Sequence, residues 1–308
     1  MNINKQLILC CIGLCCVIVE FEYTQLEHAV RLLLQPHIEL LSYSVNQLSI
    51  LNDDRVINAL DLISEVYHHL DYSTHVHEDT VSHAIFHSIQ SIWQLLMSTL
   101  QQSIAEDKRV EKLCRVIKYA IKGSRIQYMS MLSSTVDAMI SAYNTSPHSA
   151  FLYVLSILID IFGVTHQMHQ LKYIPHIIHQ TTTKTLPMIQ SVDGYAQYSD
   201  VVEDYYELLS RILSRSPEDL IHSTLLIDII QSSIYGLQQQ HRESYAALMT
   251  FYSTLFSQAV GKSRFQSYKP ARTIPVNTQQ ILNSILQAHG QSIVSGIVDG
   301  IAGILPGM

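Results

Sequence analysis

The chain has 308 residues, enough for two ordinary domains or one elongated array, and 47% of them are hydrophobic, ample for a core. Eleven Gly and eight Pro are few for that length while Leu, Ile, Ser, Gln and His are plentiful, a balance that favours helices joined by short polar turns. A net charge of −7 excludes a domain that is basic throughout, so direct nucleic-acid binding is not expected and any anionic partner must meet a local patch.

Four of the five cysteines, Cys10, Cys11, Cys15 and Cys16, crowd the start of the chain and leave Cys114 alone in the body. They cannot form a disulfide framework, which points to a reducing compartment, and adjacent Cys pairs without a nearby His make a poor zinc site. Lys5 precedes an apolar run from Leu7 to Val19, about the length of the apolar part of a signal peptide. No small-x-small cleavage site follows, and the run is shorter than the ~20 residues that span a bilayer. Residues 1–23 are therefore expected to be a buried helix or an atypical chain start, with a signal or anchor at 7–19 as the alternative, and no membrane partner is expected.

Amphipathic segments then follow one another at about 25–34, 37–50, 53–70, 79–104, 107–122, 125–143, 147–162, 166–191, 198–215, 217–237, 240–260 and 277–303. None reads as a strand, so the fold class is all-α. Helix starts are marked by Asp53-Asp54, Asp79-Thr80, Ser146-Pro147 and Ser216-Pro217-Glu218-Asp219, and Gly123 and Gly163 are expected to stop the helices before them. Taken in pairs, first helices begin near 107, 147, 198 and 240, the period of HEAT-type helical hairpins. A right-handed α-solenoid over residues 24–308 accommodates that many segments, because each hairpin packs only on its neighbours. Residues 261–277, rich in Lys, Arg and Pro, read as an exposed basic loop within it.

Seven of the nineteen Lys and Arg residues lie between Lys108 and Arg125 with one acid, Glu111; that stretch carries +6, which leaves −13 on the rest. At 100° per residue Lys112, Arg115, Lys118 and Lys122 share one helix face, and Val110, Leu113, Val116, Ile117, Ala120 and Ile121 fill the opposite one. Such a stripe is either the solvated side of a helix or a localised anion-binding surface.

Sixteen histidines invite a metal reading, above all His68, His69, His75, His77, His83 and His87 and the pairs His166/His169 and His176/His179. No HExxH pattern accompanies them, so solvated histidines and no metal are expected. There is no GxSxG elbow, no phosphate-cradling glycine loop and no convincing Cys/His setting; an enzyme is not expected, nor a cofactor. Tyr119, Tyr153, Tyr205, Tyr206 and Trp93 sit among aliphatics at helical spacing, where core packing is the expectation.

Five strings occur in one order: Ile92-Trp93-Gln94-Leu95-Leu96, Arg109-Val110-Glu111-Lys112, Phe151 to Asp160, Val202 to Pro217, and His289 to Ser295. Together they resemble the C-terminal part of the transportin-3/importin-13 family of nuclear transport receptors, in the importin-β superfamily, over roughly residues 38–303. The resemblance implies a superhelix of HEAT repeats that shuttles between nucleus and cytoplasm, carrying protein cargo through nuclear pores under the GTPase Ran. It also implies that a basic helix reads arginine/serine-rich, acidic or phosphorylated cargo segments, here through Lys112, Arg115, Lys118 and Lys122, with Arg109, Arg125, Arg211 and Arg215 as further contacts. Partners would be that cargo and, through the full-length family, Ran and nucleoporins. The family's Ran-binding repeats have no counterpart in this chain, which reads as a shortened array. The alternative is a helical-repeat scaffold without a transport role.

Overall fold

The computed structural model describes residues 3–46, 53–72, 78–165, 168–169, 171–238, 241–259 and 275–301. Among the described residues every regular element is a helix, and the chain divides into two compact units, 1–138 and 139–308.

The first unit contains α1 (Ile3–Ile18), α2 (Tyr23–Asn46), α3 (Asp53–Tyr72), α4 (Glu78–Ser103), α5 (Asp107–Ser124) and a 3-10 stretch, Arg125–Met131. Helices two apart in sequence stack on each other: α1 on α3, α3 on α5, and α2 on α4. This is the layering of consecutive helical hairpins, in which each element buries its apolar stripe against its neighbours. The apolar start of the chain contributes α1, whose Cys11, Cys15 and Ile18, with Val19 just beyond, are buried. No helix among the described residues is long and apolar enough to cross a membrane.

The segments expected at 25–34 and 37–50 are one helix, α2, running through Pro36. Leu26, Val30, Leu34 and Leu41 are fully buried on both sides of the proline, and their burial outweighs the backbone bond that Pro removes. Gly123 does not stop its helix as expected: α5 runs on to Ser124 and ends at Arg125, whose φ of 50° turns the chain while its N–H returns to Ile121 O. What Gly123 permits is a close approach, since a Cβ there would lie 2.6 Å from Ile85 Cδ1 on α4.

The division of the chain falls inside α6 (Leu132–Thr145). The second unit continues with α7 (Ser149–Phe162), α8 (Tyr173–Thr185), α9 (Val192–Gln197), α10 (Ser199–Arg215), α11 (Pro217–Ile221), α12 (Leu226–Gly236), α13 (Arg242–Ala259) and α14 (Val276–Ile301). Its centre is α10, packed between α7 and α13. Three expected segments are subdivided. Residues 125–143 begin as the 3-10 stretch, 166–191 hold α8 and a 3-10 turn at Leu186–Met188 with α9 following at Val192, and 217–237 break between α11 and α12. At the last break Ser223 Oγ accepts from Leu225 N, the local side-chain bond by which serine competes with a helix, and His222 Nε2 bonds Thr278 Oγ1 on α14. The expected basic loop lies outside the described residues up to 274.

Tyr205 and Tyr206 are fully buried, and Trp93 in the first unit is 8% exposed, the packing expected of them. Their hydroxyls are satisfied: Tyr206 and Tyr195 share a 2.7 Å bond, and Tyr205 donates to Thr182 Oγ1 at 2.9 Å. A buried hydroxyl without a partner would cost about 1–3 kcal/mol, so these bonds specify which faces of α8, α9 and α10 meet.

Candidate functional site

The site lies on the stack of α3 and α5 in the first unit. Helix α5 forms because its apolar residues recur every three or four positions: Val110, Leu113, Val116, Ile117, Ala120 and Ile121 are each at most 1% exposed. Asp107 in its first turn and Lys122 in its last complement the helix dipole. With that face buried, the stripe of cations is carried along the flank that meets α3.

The structure shows what α3 offers in return. Lys112 Nζ lies 2.6 Å from Asp61 Oδ1, and Arg115 reaches the same oxygen at 3.6 Å while its other terminal nitrogen bonds Glu65 Oε1. One turn further Lys118 Nζ sits 4.3 Å from the centre of the Tyr119 ring, a cation–π contact. Burial, and then the adjacent Arg115, hold the Lys118 ammonium below the ordinary lysine range, with Glu65 acting in the opposite sense. Lys122 is exposed at the end of the stripe, as is Lys108 at its start. Lys112, Arg115 and Lys118 are half-buried and built into a mixed-charge seam, not the freely solvated face that periodicity alone allows.

The further contacts named from the sequence divide between the two units. Arg109 pairs with Glu106 at 3.2 Å and Arg125 with Asp71 at 3.3 Å, both in the first unit. Arg211 and Arg215 belong to the second. Arg211 donates to Ser156 Oγ at 2.8 Å and meets Glu207 at 3.2 Å, and Arg215 grips Asp160 Oδ1 through two nitrogens at 3.1 and 2.6 Å.

The residues missed by the sequence reading are Asp61, Glu65 and Asp71. Asp61 and Glu65 are spaced i,i+4 on the segment that precedes the basic one by a hairpin, but that spacing alone does not mark them as its partners. The cations answer them 51, 50 and 54 positions later. Periodicity within one segment does not show which helix will lie beside it.

Two histidines belong to the same cluster. Glu65, His68 and His69 each place one ligand atom within 4.8 Å of the others, the geometry of a metal candidate. The electrostatics oppose a divalent cation there, because Arg115 already holds the Glu65 carboxylate. Burial, then His69, Lys118 and Arg115, push the His68 imidazole below its usual range against the opposing pull of Glu65. His68 instead stacks on Tyr119 with centroids 4.3 Å apart and planes at 23°, and so buttresses the ring that carries Lys118. His83 and His87 share a face of α4, where His87 Nδ1 lies 3.1 Å from Tyr23 Oη and 3.4 Å from Glu27 on α2. His75, His77 and His166 lie outside the described residues.

The family model for the transportin-3/importin-13 fourth TPR domain matches residues 83–192, a stretch that encloses all of α5. Transportin MOS14 of Arabidopsis thaliana is 23% identical over 225 residues, covering 72% of this chain and 22% of the relative. Human importin-13 is 21% identical over 291 residues, covering 89% of this chain and 29% of its own length. A solved structure of importin-13 in its cytosolic state superposes with a TM-score of 0.74 at 14% identity, over 95% of this chain and 31% of that one. The chain thus spans less than a third of these relatives, and its fold is their array of stacked helical hairpins. Over residues 83–192 this chain is therefore similar to the transportin-3/importin-13 family domain, and over most of its length it shares the helical-hairpin fold of importin-13.

Proposed function

We propose that this chain is a cargo-binding region of a nuclear transport receptor, and that α5 engages acidic or phosphorylated, arginine/serine-rich segments of protein cargo through Lys112, Arg115, Lys118 and Lys122. The observation that carries the reading is the position of the basic stripe inside the stretch matched to the receptor family. Import into the nucleus, control by Ran and shuttling between nucleus and cytoplasm belong to the same proposal, through the longer relatives. The chemistry fits, since closely spaced cations on a rigid helix meet successive phosphates without being ordered on binding. Three of the four are Lys, which lacks the bidentate fork of Arg, so the site favours charge over exact phosphate geometry.

Reversing Lys112, Arg115 and Lys118 to Glu abolishes pull-down of a phosphorylated serine/arginine-rich peptide if the proposal holds. Lys122→Glu, at an exposed position, weakens the same binding while leaving the thermal melt unchanged. Binding also falls with added salt, because exposed charges are screened beyond about 8–10 Å at physiological ionic strength. A second reading, a helical scaffold with no transport role, is favoured by the pairing of Lys112 and Arg115 with α3, which is how a purely structural stripe would be compensated. Unchanged peptide binding by the triple reversal decides for that reading.

A further inference from the structure

The stripe on α5 is paired with acids of its own fold, and those pairs are reachable from water. Lys112 and Arg115 are 26% and 35% exposed, and their partners Asp61 and Glu65 are 22% and 15% exposed. A carboxylate set against a cation in this way occupies the place an incoming anion would take. We infer that Asp61 and Glu65 form an intramolecular competitor, an acidic ledge that an anionic ligand must displace from Lys112 and Arg115, so that only a multiply charged segment binds. This rests on the reading of α5 as the cargo site and specifies the ligand that site accepts.

The physical reason is an exchange. An isolated ligand carboxylate that takes Glu65's place on Arg115 replaces one carboxylate by another and gains little, while the ligand's own ordering still has to be met. A phosphate brings close to two negative charges and three acceptor oxygens, so the same exchange is favourable. The geometry also supplies an order of engagement. Lys122 is exposed at the end of the stripe, so a polyanion makes first contact there and then exchanges at Arg115 and Lys112. From 112 to 122 an α-helix rises about 15 Å, which an extended segment of roughly five residues covers. The ligand class is therefore an extended segment of about that length with two or more phosphates.

The test uses the full chain and two synthetic serine/arginine peptides of one sequence, one carrying two phosphoserines and one carrying Glu at both places. Asp61→Asn with Glu65→Gln removes the ledge without changing side-chain shape, and circular dichroism melts set a temperature at which both proteins are folded. The phosphopeptide is expected to bind the double variant roughly tenfold tighter than the wild type, and the Glu peptide, weak on the wild type, gains by a similar factor. If the double variant binds the phosphopeptide no better, or worse, the acids are aligning supports and the ledge is overturned. When the triple reversal abolishes binding while the double variant matches the wild type, the ledge fails and the cargo reading stands. When neither wild type nor double variant binds the phosphopeptide, both fail together.

Discussion

The stack of α3 on α5 and the stack of α7 on α10 solve one packing problem with different charge balances. In each, the earlier helix supplies acceptors and the later helix supplies cations about one hairpin pair on, at sequence separations of 50, 51 and 54 in the first and 55 for both Ser156–Arg211 and Asp160–Arg215 in the second. Similar separations mean that the same layering puts these residues side by side. In the first stack the acids of α3 balance the cations of α5, with the positive charge gathered on α5. In the second the surplus is acidic, because α10 carries Glu203, Asp204 and Glu207 beside its arginines. Burial, and then Glu207 and Glu203, push the Asp204 carboxyl up to about 7, while the Ser149 hydroxyl and Arg211 act to lower it. The comparison teaches that one ladder of acceptors and cations serves both a charge-balanced stack and an acidic one.

Perturbing matched positions in the two stacks tests this, and the largest effect is expected in the first. Arg115→Glu leaves a third carboxylate facing Asp61 and Glu65 and is expected to cost about 2 kcal/mol in denaturant unfolding, less than a fully buried pair because the seam is partly wet. If stability is instead unchanged, the α3–α5 pairs are not structural. Glycines at the close approaches come next. A Cβ on Gly163 would press on the Ile159 carbonyl and lie 2.9 Å from Arg215 Cβ, atoms tied to backbone, so Gly163→Ala should lower stability by about 1.5 kcal/mol. Gly123→Ala meets only the movable end of Ile85, and Ala favours a helix interior, so its cost should be smaller.

The acidic stack carries the pH prediction. A carboxyl whose folded pKa is raised favours the folded state while protonated, so its contribution is present below the unfolded value near 4 and is lost as pH rises through about 7. Asp204→Asn should therefore stabilise the chain by about 1 kcal/mol at pH 7.5, discounted for partial exposure, and by nothing near pH 4. Melts at the two pH values that move equally would refute the buried-acid reading. The smallest effect belongs to Arg215→Ala, about 0.5 kcal/mol, because both partners are more than 40% exposed.

Much of the fold was legible in the sequence and less of the site. Apolar spacing in 107–122 located α5 to within two residues, because an amphipathic helix that must bury one face has only one way to do so. The helix boundaries that went astray did so where a local signal met a stronger tertiary one. Pro36 reads as a stop, yet Leu26 to Leu41 bury a continuous stripe across it; Gly123 reads as a cap, yet its missing side chain is used to admit Ile85. At the site, the cations were visible because they are concentrated in one segment. Asp61, Glu65 and Asp71 were not, because acids scattered on an ordinary amphipathic helix look the same whether they face water or a neighbour.

By itself, then, the sequence determined the all-helical hairpin character and the basic face of α5, since both follow from residue spacing along a single helix. Only the tertiary structure decided that α3 lies against that face and that Lys112 and Arg115 already hold carboxylates. Which of two helices fifty residues apart become neighbours depends on how whole apolar stripes fit together, and no periodicity within either helix records it.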